Sequence, residues 1–336
     1  MKNKIFITIL TLLVIMILGT TLFKIVNLEK KSENAVISTF NNPKIPKGFK
    51  PIDTQEAKWE KNKDGTIKDW NKGLVIEDEI GNQFVWIPID INNLKYDNQC
   101  KKIEDKFMYN AEKLDMNNKD DAQVAKYGGF YLSRYEAGVS DTMQKEMHKI
   151  SSEKNDINAS PVSMKDRLPW NYISFKNAKC NAQNMYSTAE FTSDLPTLKQ
   201  IQFVMKWLNE SGYDVYEDSS KIGNYSNVNF RFTGFYSENH GKDYQYGENI
   251  LKTGENMILS SGASDRNMTN NIYDIAGNLW EYTDNYFQID ENRILGYYCT
   301  GGHFDNSGNH YPAFSYNLKN VTPLDKVGFR IALFFN

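Results

Sequence analysis

The sequence NIYDIAGNLWEYT, residues 271–283, carries the clearest structural pattern in the chain. Its Gly277-Asn278 pair favours a tight turn, because glycine and asparagine adopt backbone conformations that most residues avoid. The aromatic residues Trp280 and Tyr282 follow the turn, as in a short strand. Similar aromatic segments and glycine-containing turns continue to the C-terminus. The second half of the chain is therefore predicted to consist of short strands joined by turns.

Two helices are predicted before this region. Ser174 can cap a helix that continues to about Met185, because the apolar residues between them fall on one face at helical spacing. Thr197 can cap a second helix, and Gln200, three residues later, completes a capping box. Gly212 is a suitable end for that helix. Few helices among many short strands predict an α+β, loop-rich fold.

A β-hairpin is predicted over residues 73–88. Two strand-like runs flank a Gly81-Asn82 turn, and Pro88 ends the second run. The segment that follows, residues 92–126, is charged and rich in asparagine. An irregular insertion is therefore predicted there.

Composition excludes some classes of protein. The chain has 336 residues, of which 40% are hydrophobic, 13% aromatic and 24% charged, which is typical of a globular protein with a core. Its formal net charge is −3, and no basic patch or stripe predicts a nucleic-acid partner. Cys100, Cys180 and Cys299 are widely spaced, so one disulfide or three free thiols both remain open.

The N-terminal segment predicts the compartment. Residues 5–23 form an apolar run, and about 20 such residues span a bilayer as a helix. Residues 1–26 are therefore predicted to be an uncleaved signal-anchor, and a cleaved signal peptide is the alternative. Polar residues 27–44 are predicted to be a stalk, and residues 45–336 a domain outside the cytoplasm. The signal-anchor predicts a single-pass protein of the cell membrane.

Six segments, taken in order along the chain, resemble the formylglycine-generating enzyme (sulfatase-modifying factor) family. They are GFYLSRYE at 129–136, the segment 170–180, LPT at 195–197, NIYDIAGNLWEYT at 271–283, GG at 301–302 and GFR at 328–330. The resemblance runs from about residue 128 to the end, and it is expected to begin earlier, at the predicted hairpin of residues 73–88. It implies a variant of the C-type lectin-like fold. Six motifs in the expected order are stronger evidence for the fold than for the activity.

The resemblance implies a calcium site in the central motif. Its ligands would be the side chains of Asp274 and Glu281 and the backbone carbonyls of Gly277 and Leu279. Calcium prefers oxygen donors, and a tight turn can direct carboxylates and carbonyls towards one point. The alternative is a plain turn in which Trp280 is buried and Glu281 bonds to the backbone or to an arginine.

The resemblance does not extend to copper. Active oxidases of the family carry two cysteines after the glycine turn, and these thiolates bind copper, a soft-ligand preference. In this chain the matching positions fall at about Asn306 and Tyr311, and Cys299 precedes the turn. Thiol oxidation with copper is therefore not expected from these residues.

Polar residues after the glycine turn predict a possible ligand groove. They are His303, Asp305, Asn306, His310 and Tyr311. Imidazole and oxygen donors of this kind could hold zinc, copper or iron. Polar loop side chains near a groove are the alternative, since two histidines seven residues apart are a weak signal.

Two functions are therefore predicted. The first is a non-catalytic, calcium-stabilised binding or scaffold module, attached to the membrane by its N-terminal helix, with a protein, peptide or glycan ligand. The second is a divergent sulfatase-modifying oxidoreductase that acts on a protein or peptide substrate. A purely structural part of a cell-surface assembly is a lesser possibility.

Overall fold

The structure, a computed structural model, describes five parts of the chain: residues 42–89, 118–147, 156–290, 293–319 and 323–336. The predicted signal-anchor and nearly all of the predicted stalk lie outside these parts. Within them, no helix combines the length and apolarity that a membrane crossing requires.

A six-stranded antiparallel sheet forms the centre of the domain. Its order is β1-β2-β3-β4-β15-β5, so the last strand of the chain lies inside it. The strands are β1 (Phe49–Ile52), β2 (Val75–Asp78), β3 (Gln83–Pro88), β4 (Gly129–Ser133), β5 (Phe191–Asp194) and β15 (Ala332–Phe335). The hairpin predicted over residues 73–88 is confirmed as β2 and β3, with Gly81 at φ +97° in its turn.

Four α-helices lie in the described parts: α1 (Lys119–Tyr127), α2 (Asp141–Met147), α3 (Phe175–Met185) and α4 (Leu198–Glu210). The two predicted helices are confirmed as α3 and α4. Ser174 Oγ accepts a hydrogen bond from Asn177 N at 3.3 Å. Thr197 and Gln200 form the predicted capping box, with distances of 3.2 and 2.7 Å.

The prediction of an irregular insertion is wrong for residues 119–126, because these residues belong to helix α1. Residues 119–126 are helical, and residues 90–117 lie outside the described parts. Val124 is 1% exposed and packs in the core, and Asp121 pairs with Lys199 Nζ on α4 at 2.5 Å. The charged composition did not predict this helix, because the helix is stabilised by burial against residues that are distant in sequence.

The central sheet divides two hydrophobic clusters, and the side chains of β3 alternate between them. Phe84 and Trp86 face the cluster that contains α3, whereas Val85 and Ile87 face the cluster that contains α4. This alternation is the two-residue period of a strand. Because both faces are covered by a helix and by further chain, all four side chains are fully buried.

Three smaller sheets complete the fold. The order β7-β6-β8 joins β6 (Phe230–Ser237), β7 (Gln245–Leu251) and β8 (Ile258–Leu259). The order β13-β12-β11-β14 joins β11 (Trp280–Asp290), β12 (Arg293–Thr300), β13 (Tyr316–Lys319) and β14 (Val327–Phe329). Strand β9 (Met268–Thr269) pairs with β10 (Ile272–Tyr273). Strands β11 and β14 are parallel, so the four-stranded sheet is mixed.

The motif at 271–283 connects β10 to β11 through the predicted turn. Asp274, Gly277 and Asn278 have φ values of +55°, +73° and +54°. A Cβ on Gly277 would lie 2.2 Å from the carbonyl oxygen of Asn224, so only glycine fits there. The turn therefore places its carboxylates and amides in the interior, beside the start of β11.

Candidate functional site

Arg330 and Glu281 form the centre of a buried polar cluster. Both are almost fully buried, and Arg330 Nη2 lies 2.8 Å from Glu281 Oε1. The same guanidinium donates from Nη1 to the carbonyl of Ser133 at 2.9 Å and from Nη2 to that of Tyr273 at 2.8 Å. One side chain after β14 therefore joins β4, β10 and β11.

The arginines at two motif positions bind groups of the domain itself. Arg134 donates from Nε to the carbonyl of Asn271 at 3.1 Å and from Nη1 to Gln83 Oε1 at 2.8 Å. Both this arginine and Arg330 thus hold carbonyls or carboxylates of the domain itself, and Trp86, Trp170 and Trp280 are buried core residues.

Asp274 is held by donors of the surrounding loops. Its Oδ2 accepts a hydrogen bond from Gly262 N at 2.8 Å, and its Oδ1 accepts one from Asn267 Nδ2 at 3.3 Å. Burial raises the pKa of Asp274 to about 6, although these hydrogen bonds and the charge of Arg330 act in the opposite direction.

Glu136 is a third buried carboxylate, and it binds the turn itself. Its Oε1 accepts from Leu279 N at 3.2 Å, and its Oε2 accepts from Asn278 Nδ2 at 2.5 Å. Burial, together with the charges of Asp274 and Glu281, raises the pKa of Glu136 well above its ordinary value. Sequence spacing alone could not assign this residue a partner, because it lies far from the turn along the chain.

The predicted calcium ligands lie in this cluster. Asp274 and Glu281 are both buried near Arg330, on either side of the turn that contains Gly277 and Leu279. As placed, these donors do not fit calcium, because an ion on the Glu281 carboxylate would lie beside a buried guanidinium and the two cations would repel. The arrangement matches the alternative of a buried ion pair, and calcium binding stays a prediction.

The loop that follows β12 begins with two glycines. Gly301 and Gly302 have φ values of +100° and +74°. A Cβ on Gly302 would lie 3.0 Å from both the ring of Tyr225 and the carbonyl oxygen of Tyr311, so there is little room for a side chain. Tyr225 Oη donates to the carbonyl of Gly301 at 3.0 Å and fixes the turn from the other side.

Asn306 closes the loop that follows the glycines. Its Oδ1 accepts a hydrogen bond from His303 N at 3.1 Å, and its N–H donates to the carbonyl of His303 at 2.9 Å. The Asn306 carbonyl accepts from Ser226 N at 2.8 Å. Asn306 therefore holds the loop in shape and ties it to the neighbouring chain.

The two predicted histidines have different surroundings. His303 is 7% exposed, and its ring centroid lies 6.3 Å from that of Trp280. His310 is exposed and packs against Tyr311, with ring centroids 4.6 Å apart. The Tyr311 ring in turn packs against Trp280 at 5.7 Å. His303 thus lines the interior of the loop, whereas His310 faces its exterior.

Four polar side chains form a surface beside Phe304, whose own ring is buried at 1% exposed, and most of this surface could not be predicted. We call it the Phe304 surface and define it as His240, Asp305, Asp325 and Lys326. His240 Nδ1 lies 2.6 Å from Asp325 Oδ2, and its ring is 5.7 Å from that of Phe304. Lys326 Nζ lies 2.7 Å from Asp305 Oδ2 and 5.9 Å from the Phe304 ring.

Asp305 is the predicted groove residue that belongs to this surface. A hydrogen bond from Lys326 lowers the pKa of Asp305, and the nearby charges of His303 and His240 contribute. His240 and Asp325 were missed because they come from separate loops, far from residues 303–311 in sequence. No local pattern marks such residues before the fold is known.

The described cysteines are present as thiols. Cys180 is half-buried on α3, where Asn184 Nδ2 lies 3.3 Å from its sulfur, and Cys299 is buried on β12. A disulfide between these two is therefore not formed, and Cys100 lies outside the described parts. Across the described ranges, no group of three or more His, Cys, Asp and Glu side chains is arranged to hold a metal ion.

Residues 99–334 match the family described as the sulfatase-modifying factor enzyme 1-like domain. A search of curated proteins finds no match.

Solved structures of low sequence identity show similarity as well. A crystal structure of CarF is 13% identical, with a TM-score of 0.39 over 61% of this chain and 85% of that one. The structure of PvdO from Pseudomonas aeruginosa is 10% identical, with a TM-score of 0.40 over 78% of this chain and 98% of that one. Treponema denticola variable protein 1 is 14% identical, with a TM-score of 0.37 over 61% of this chain and 84% of that one.

Proposed function

Because the chain belongs to the sulfatase-modifying factor enzyme 1-like domain family, we propose that it is a membrane-anchored member that binds a partner outside the cytoplasm. The supporting observation concerns the two positions where the family resemblance would place cysteines. Asn306 closes a loop with His303, and Tyr311 packs against Trp280. An amide and a phenol ring cannot supply the soft thiolates that copper prefers, so these positions argue against copper-dependent thiol oxidation.

The Phe304 surface is the proposed binding face. His240 and Lys326 carry nitrogen groups, and Asp305 and Asp325 carry carboxylates, with 24–48% of each side chain exposed. Donors and acceptors thus lie together as two close pairs, His240 with Asp325 and Lys326 with Asp305. Such a surface suits a polar ligand that has both kinds of group, and a peptide segment or a glycan has them.

Membrane attachment rests on the apolar run at residues 5–23. Deletion of residues 1–26 should move the protein from the membrane pellet to the supernatant after ultracentrifugation. Continued sedimentation with the membrane would contradict the proposed anchor. The proposed function does not include calcium binding, because the Glu281 carboxylate is already paired with Arg330.

Oxygen consumption distinguishes binding from the alternative of a divergent oxidoreductase. The full-length chain is supplied with copper, a reductant and a cysteine-containing peptide, and oxygen uptake is followed with an electrode. We expect no uptake above that of the same mixture without protein. Turnover above this blank, together with loss of the peptide thiol, would establish the oxidoreductase instead.

A further inference from the structure

Strand β7 lies at the edge of the three-stranded sheet. Its seven residues pair with β6, from Gln245 opposite Tyr236 to Leu251 opposite Phe230. In the part of the chain that the structure describes, no strand pairs with the other side of β7. The peptide groups on that side therefore decide what this edge can bind.

The odd-numbered residues of β6 direct their peptide groups away from β7. Thr233 N donates to the carbonyl of Ala263 at 2.8 Å, and the Phe235 carbonyl accepts from Ser260 N at 2.7 Å. The Arg231 carbonyl accepts from Ser264 Oγ at 2.8 Å. These residues are thus hydrogen-bonded on the β8 side of the strand.

The register carries this pattern over to β7. Arg231, Thr233 and Phe235 lie opposite Ile250, Glu248 and Tyr246 respectively. In an antiparallel pair, residues that do not exchange hydrogen bonds with each other point their peptide groups away from the partner strand. The peptide groups of Tyr246, Glu248 and Ile250 therefore face outward.

One of these outward groups already takes a substitute for a strand partner. Ile250 N donates to Asn249 Oδ1 at 2.8 Å, so a neighbouring side chain replaces the missing carbonyl. This bond is independent support for the outward direction. A carbonyl of an added strand would replace Asn249 Oδ1 as the acceptor for Ile250 N.

Strand β7 has little of the usual protection of a sheet edge, since Glu248 is its one charged residue and lies 3.5 Å from Arg231 Nη1 of β6. Natural edges are guarded by proline, lysine, bulges or very short strands. The sequence QYGENIL has no proline or lysine, and its pairing with β6 runs without a register shift. Tyr246 and Ile250 are large apolar residues that are 60% and 39% exposed.

We propose that β7 binds an extended polypeptide segment of a partner as an added antiparallel strand. Only an extended main chain presents donors and acceptors at the spacing of the three outward peptide groups. Apolar side chains of the partner would lie beside Tyr246 and Ile250, and a basic side chain would lie beside Glu248. This surface uses no residue of the Phe304 surface, so it goes beyond the function proposed above.

The probe is the N-terminally labelled peptide fluorescein-Ser-Val-Thr-Lys-Thr-Tyr-Ser-amide, and its binding to the detergent-solubilised full-length chain is measured by fluorescence anisotropy. Its Val, Lys and Tyr would lie opposite Ile250, Glu248 and Tyr246. N-methylation of Val, Lys or Tyr should weaken binding by about tenfold, because those N–H groups face β7. N-methylation of either Thr should leave binding unchanged. Equal effects at all five positions, or no binding of the parent peptide, would overturn the proposal.

Variants of Glu248 test the same edge from the protein side. Glu248→Pro removes an outward N–H without removing a bond to β6, and it should abolish peptide binding. Glu248→Gln keeps the N–H and loses only an exposed charge contact with the peptide lysine, so its affinity should fall by no more than about threefold. Glu248→Lys should prefer a peptide with Glu in place of Lys. If Glu248→Pro does not fold, as judged by circular dichroism, the N-methyl series and the Glu248→Lys exchange decide the result.

Discussion

Arg330 and Glu281 are a buried pair in which Nε lies 3.0 and 3.1 Å from the two carboxylate oxygens. Removal of one partner of such a pair leaves an uncompensated charge in the interior. Glu281→Ala should therefore lower the free energy of unfolding by about 3–5 kcal/mol, as measured by urea denaturation. Glu238→Ala on the surface is the control and should cost less than about 0.5 kcal/mol. A loss below that of a surface substitution would contradict the assigned role of the pair.

Calcium tests the same carboxylate in another way. Because Arg330 already holds Glu281, we expect millimolar calcium to leave the Tm of the full-length chain at its value in magnesium. A calcium-specific rise in Tm that is smaller in Glu281→Gln would instead support the calcium site predicted at Asp274, Gly277, Leu279 and Glu281. Metal analysis of the purified protein is the independent measurement.

The pKa of Asp274 predicts a pH dependence of stability. It is raised from 3.8 to about 6 in the folded state, so the folded state binds more protons than the unfolded chain between these values. The contribution of Asp274 to stability is therefore fully present below about pH 4 and is lost as pH rises through about 6.

Asp274→Asn should remove that decline. The difference in unfolding free energy between wild type and variant should change by at most about 3 kcal/mol between pH 4 and pH 7. Asparagine also suits the positive φ at this position. A difference that is constant across this range would show that the Asp274 proton does not affect stability.

Gly277 and Gly254 provide a matched pair of substitutions. Both have positive φ, +73° and +90°, but an added Cβ meets the backbone of Asn224 at 2.2 Å only at Gly277. Gly254→Ala should cost about 1–2 kcal/mol from backbone strain alone. Gly277→Ala should cost more than about 4 kcal/mol or prevent folding. Equal Tm values for the two variants would contradict the close approach of the turn to Asn224.

Local signals in the sequence were sufficient for the helices and the first hairpin. The caps at Ser174 and Thr197 lie within three residues of their partners, so the sequence contains the whole interaction. The hairpin at residues 73–88 has its turn between its strands. Helix α1 lacks such signals, and it depends on the burial of Val124 and on the pairing of Asp121 with Lys199.

The candidate sites depend on contacts that no local pattern contains. His240 meets Phe304 and Asp325 only after three loops have come together. The outward peptide groups of β7 likewise depend on which side of β6 bonds to residues 260–264. The family motifs therefore predicted the fold and placed Asp305 at a surface, but they could not identify the other residues of that surface.

The position of β15 between β4 and β5 has a consequence for biosynthesis. Ala332 pairs with both Leu132 and Asp194, so the central sheet stays incomplete until these last residues are available. A nascent chain would leave the facing edges of β4 and β5 unpaired until β15 has been synthesised, and unpaired strand edges favour misassembly. A nonsense mutation before residue 332 should therefore yield insoluble or degraded protein.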